Sequence, residues 1–97
     1  MRYELRYRKQ VPRDISSICR WYDAQQAGLR DQFLDELEEV LDRIKANPEG
    51  FARGEESHFA QLKRFPFLVY FKVRKTHIVI AAITHKSRDP EHWKRRL

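Results

Sequence analysis

Arg64 and His85 are the two side chains of this chain best suited, by type, to chemistry at a phosphate group. An imidazole titrates near neutrality and can act as acid or base, while a guanidinium can neutralise phosphate charge through two parallel hydrogen bonds. Lys63 stands beside Arg64, and Lys86 and Arg88 follow His85 closely, so each candidate sits in a basic neighbourhood. Lys63, Arg64, Lys86, Arg88 and, further on, Trp93 form the set expected to bind a target or a phosphate. If the strands carrying them pair antiparallel, Arg64 at the end of one strand meets either Lys72 and Arg74 or His85 and Lys86, and the register decides which. A second reading is open at every position: His85 satisfied by its own turn, the cations as a solvated rim, and Trp93 packed back on the domain edge.

Other chemistries find less support. His58 falls in a long loop, His77 at a hairpin bend and His92 in the tail, and no pair has the three- or four-residue spacing that puts two metal ligands on one helix face. No metal site and no cofactor are expected. The chain has no Gly-rich phosphate loop and no Gly-x-Ser-x-Gly elbow, and its single cysteine has no base near it in sequence. Cys19 instead shares helical spacing with Ile15, Ile18 and Tyr22, which suits a core thiol in a reducing compartment.

The elements that must position these residues follow from periodicity. Tyr3, Leu5 and Tyr7 alternate with Arg2, Glu4, Arg6 and Arg8, the pattern of a half-buried strand. Pro12 suits the first turn of a helix and Asp14 its positive end; that helix is expected to run to about Ala27, with Gly28 as a left-handed terminator. Leu29, Phe33, Leu34, Leu37, Val40, Leu41 and Ile44 recur at spacings of three and four, giving a second helix that Asn47-Pro48 stops. So short a connection makes the two helices an antiparallel hairpin. Asp31, Asp35, Glu36, Glu38, Glu39 and Asp42 occupy the rest of the second helix and read as a solvated face. After a loop to about His58, strands are expected at about 59–64, 67–74 and 77–84. The order β-α-α-β-β-β gives an α+β two-layer sandwich, a helix hairpin packed on a mainly antiparallel sheet.

Ninety-seven residues supply one domain, 1–97, with a single modest core and a partly mobile tail from about residue 89. Lys and Arg number 20 against 14 Asp and Glu, and the imbalance is local: residues 1–10 carry +3, residues 11–50 carry −4 and residues 51–97 carry +7. Such a two-sided molecule suits an anionic partner. The first residues contain no apolar signal core, and nowhere do about 18 apolar residues run together, so a cytoplasmic protein without a membrane partner is expected.

Four segments carry a family resemblance. Trp21-Tyr22-Asp23 through Gly28-Leu29 to Phe33-Leu34-Asp35-Glu36-Leu37-Glu38, the helix end Ile44-Lys45-Ala46-Asn47-Pro48, the strand pair Lys63-Arg64-Phe65-Pro66-Phe67-Leu68-Val69-Tyr70-Phe71, and the terminal Thr84-His85-Lys86-Ser87-Arg88-Asp89-Pro90-Glu91-His92-Trp93 lie in the order found in RelE/ParE-superfamily toxins of type II toxin–antitoxin systems. The chain most resembles the ParE-like members. That resemblance implies growth inhibition through DNA gyrase and neutralisation by a cognate, ParD-like antitoxin in a hetero-oligomer. Its alternative is the RelE-type activity, mRNA cleavage in the ribosome, which needs a base near the ribose 2′-oxygen, a cation at the phosphate and an acid at the leaving oxygen. Arg64 and His85 are the candidates for that catalysis. A third possibility, a non-toxic basic nucleic-acid-binding module, rests on the charge of residues 51–97 alone and lacks an RNA-stacking motif.

Overall fold

The computed structural model describes residues 3–54 and 57–89. Its elements are β1 (Glu4–Tyr7), α1 (Val11–Gln25), α2 (Leu29–Ala46), a single 3-10 turn (Pro48–Gly50), β2 (Ala52–Arg53), β3 (His58–Gln61), β4 (Phe67–Val73) and β5 (His77–His85). The five strands form one sheet in the order β1-β5-β4-β3-β2. β1 runs parallel to β5 and every other pair is antiparallel. The expected α+β sandwich is therefore the observed one, with a two-residue strand added from the segment expected to be loop.

Helix periodicity places the core. Val11, Ile18, Cys19 and Tyr22 of α1 and Phe33, Leu37, Val40 and Ile44 of α2 are buried, and they pack against Val69, Phe71, Ile78, Ile80 and Ile83 of the sheet. Each large apolar side chain fully buried in this way contributes about 1.5–3 kcal/mol. At one end of the core, Tyr22 and Phe33 meet Phe65 and Phe67 with ring centroids 5.1–6.2 Å apart. That aromatic cluster fixes the helix hairpin against the β3–β4 turn.

Several expectations are corrected. α1 stops at Gln25, and Gly28, whose φ is +91°, serves as the N-cap of α2 instead of terminating α1. β3 ends at Gln61, because Leu62 to Pro66 turn to bring the chain back: the Leu62 amide donates to the Phe67 carbonyl at 3.0 Å. Arg64 thus lies in the turn, off the strand. His58 belongs to β3 and is buried, and His77 opens β5. Tyr7, on the apolar side of the β1 alternation, is 48% exposed, since β1 is an edge strand. Glu36, read as part of a solvated face, is buried.

One irregularity shapes the end of the sheet that carries His85. Phe71 pairs with Ile80 but Tyr70 pairs with Ala82, so Ala81 is an extra residue in β5. A bulge of this kind reverses the alternation of every side chain beyond it. Ile78 and Ile80 face the helices before the bulge, Ile83 does so after it, and Ala82 joins Tyr70 in a second small cluster with Phe59 and Leu68. His85, two residues beyond Ile83, is thereby delivered to the helix side. Were β5 to alternate regularly through Ala81 with no bulge, Thr84 would take that place.

Candidate functional site

His85 sits where the end of β5 passes under α1. It pairs with Phe67 across β4 and β5, and the two rings make an edge contact at 5.4 Å. Around them Ser17, Ile18, Trp21 and Tyr22 of α1, with Pro66, Ser87 and Arg88, line a groove of about 470 Å³. A smaller recess of about 210 Å³ continues it toward Asp14, Ile83 and Thr84. The lining is mainly apolar, with Trp21 58% exposed on α1. Among large exposed apolar side chains of the described residues only Trp21 and Tyr7 stand out, which makes Trp21 a natural anchor for a partner.

The state of the imidazole follows from its neighbours. Nδ1 accepts from the Ser87 backbone amide at 3.1 Å and lies 2.7 Å from the Ser87 hydroxyl. An amide can only donate, so Nδ1 is the acceptor and, in the neutral ring, the proton sits on Nε2. The neutral ring therefore keeps Nε2 as its donor while its acceptor nitrogen is taken by Ser87. To act as a general base through Nε2, His85 would have to move its proton to Nδ1 and give up the Ser87 amide, since two donors cannot face each other. Tyr22 offers no base either, because burial pushes its phenol up from the ordinary value.

Asp14 has a structural task at the groove floor. Its carboxylate accepts from the Ile83 amide at 3.2 Å, on the edge of β5 beyond the end of β1. An edge amide that would otherwise await another strand is thus satisfied by α1.

Register settles where Arg64 lies. Gln61 pairs with Leu68 and Phe67 with His85, and the Lys86 amide donates to the Pro66 carbonyl at 2.8 Å, so the β3–β4 turn and the end of β5 share one end of the sheet. Lys72 and Arg74 are at the other end. Arg64 and Lys63 nevertheless do not line the His85 groove. They are held by Glu36 of α2, whose carboxylate accepts from the backbone amides of both residues, the Arg64 amide at 3.1 Å, while the Arg64 Nε lies 3.5 Å away. The guanidinium is 5.8 Å from the centre of the Phe65 ring and largely exposed. The structure thus joins His85 with Arg88 and separates both from Lys63 and Arg64. Lys86 is exposed on the turn after β5. Trp93 and the tail lie outside the described residues.

Three residues of this end escaped sequence reasoning: Trp21, Asp14 and Glu36. Trp21 alone left a trace, since it lies about 100° around the helix from the core residue Tyr22, whose ring it meets edge-on at 5.1 Å.

Residues 5–90 match the family model described as the ParE toxin of the type II toxin–antitoxin system parDE. The chain belongs to the ParE toxin family. A solved structure from the chromosomal ParDE toxin–antitoxin system of P. aeruginosa superimposes with a TM-score of 0.64 at 20% identity, over 86% of this chain and 95% of that one. At that identity the likeness bears on the ParE fold alone. No curated protein matches significantly.

Proposed function

We propose that this ParE-family chain arrests growth by binding DNA gyrase, without cleaving RNA, and that a ParD-like antitoxin silences it by covering the groove between α1 and the end of β5. The observation that carries the non-catalytic reading is the Ser87 amide on His85 Nδ1, which occupies the acceptor nitrogen of the neutral ring. Further support comes from the separation of the two catalytic candidates: Arg64 is bound to Glu36 and does not line the groove with His85, so this pair does not converge on one phosphate. The groove itself suits an apolar anchor in a segment with acidic flanks, with Ile18, Tyr22 and Phe67 beneath and Arg88 at the side.

Induced expression is the test. Wild-type chain is expected to stop growth with DNA-damage signalling while translation continues at first, and His85→Ala, checked for folding by thermal melt, is expected to remain toxic. Rapid loss of translation with codon-positioned mRNA cuts, abolished by His85→Ala in a folded protein, would establish the RNA-cleaving alternative instead.

A further inference from the structure

At the end of the sheet remote from His85, β4 outruns its neighbour. His58 is opposite Phe71, so Lys72, Val73 and Arg74 continue past the first residue of β3. The overhang leaves a recess of about 260 Å³, lined also by Glu49, Arg53, Ser57 and His58. Arg53 arrives because β2 pairs with β3 in the register Arg53 to His58, and Gly54 closes the connection by donating to the Ser57 carbonyl at 2.8 Å. Residues 55 and 56, both glutamates in the sequence, complete that connection outside the described residues.

His58 is the unusual member. Its side chain is only 10% exposed and its ring lies flat on Phe71, centroids 5.4 Å apart and planes 15° from parallel. A stacked ring is fixed in orientation. Among the described residues its Nε2 faces the Glu49 carboxylate at 3.6 Å, too long for a good hydrogen bond, and Glu49 itself is 67% exposed. A nearly buried imidazole therefore points a polar atom at a mobile class of side chain, beside Arg53, Lys72, Arg74 and the Ser57 hydroxyl. This set supplies donors of several geometries and only one carboxylate among the described residues.

We infer that this recess binds a phosphate group, with His58, Arg53, Lys72 and Arg74 as its donors and Glu49 as the resident anion that the ligand displaces. The ligand is either free phosphate or the phosphodiester backbone of a single nucleic-acid strand, which present the same oxygens. The site is independent of the His85 groove and of the choice between gyrase and ribosome.

Opposite effects of opposite charges make the inference testable. Inorganic phosphate, titrated into the full chain at low ionic strength, is expected to shift the His58 ring resonances saturably. Arg74→Ala and Lys72→Ala should each weaken that binding by about tenfold, the scale of a lost charge-assisted contact. Glu49→Gln should tighten it, and Lys75→Ala, in the neighbouring turn but off the recess, should leave it unchanged. A decathymidylate strand that binds more tightly than phosphate, with a salt slope about one unit smaller in Arg74→Ala, assigns the phosphodiester source. Response to phosphate with none to the strand assigns free phosphate. Absence of a saturable His58 shift, or equal losses in Lys75→Ala and Arg74→Ala, would overturn the site.

Discussion

Glu36 shows how one residue can bind two elements without itself lining the groove. Its carboxylate is buried on α2 and satisfied by the amides of Lys63 and Arg64. Hydrogen bonds to a charged group are worth about 1.5–3 kcal/mol each, and Glu36→Ala is expected to lower stability by about that amount for the set, read from chemical denaturation. Arg64→Ala should do little to stability, because its side chain is 60% exposed and exposed ion pairs contribute about 0–1 kcal/mol. It should instead weaken an anionic partner in a salt-dependent way, visible as a smaller slope of affinity against salt. Tyr22 gives a pH signature. Its phenol is raised by burial above the ordinary value near 10, so the unfolded chain loses this proton first as pH rises. The stability tied to the neutral phenol is full below about pH 10 and is lost as pH climbs through the higher folded value. Tyr22→Phe should therefore flatten the alkaline fall of the melting temperature; an unchanged fall would contradict this account of the residue.

At the scale of elements, the bulge at Ala81 and the left-handed Gly28 decide what the helices and strands present. Ala81 and Ala82 are both fully buried, so a larger side chain has no room, and Ala81→Leu should cost about 1–3 kcal/mol by overpacking. Gly28 has open space around a would-be Cβ, so Gly28→Ala tests the backbone alone and should cost about 1–2 kcal/mol for its positive φ. These two features also mark how far the sequence could be read. The apolar stripe Phe33, Leu37, Val40 and Ile44 is local information, and it correctly announced α2 and the face it buries. A bulge is a relation between β4 and β5, and the run from Ile78 to Ile83 is apolar at every position, so alternation could not reveal where it reverses. Glu36 was misread for a similar reason. Its burial depends on a turn 27 residues later, whereas helical charge patterns report only their own helix. The groove's Trp21 and Asp14 come from α1 and acquire meaning only once β5 lies beneath them.

For the molecule as a whole, the two helices cover one face of the sheet and leave the candidate site residues at its ends. The His85 groove lies at one end and the cationic recess at the other, with the acidic surface of α2 outside both. Among the described residues, no helix is long and apolar enough to cross a membrane. An antitoxin that fills the groove and wraps the sheet should bury roughly 2,000 Å² or more in total, the range of permanent complexes. Co-expression with an adjacent small gene should then give a co-purifying complex, and Trp21→Ala should loosen it by at least the 2 kcal/mol typical of an aromatic anchor, about thirtyfold in affinity. The most direct test of the central claim is the supercoiling of relaxed plasmid by purified gyrase and ATP in the presence of the folded chain. Loss of supercoiling or a trapped cleavage complex, retained by His85→Ala, is the predicted result; gyrase that works unimpaired at concentrations that arrest growth would contradict it.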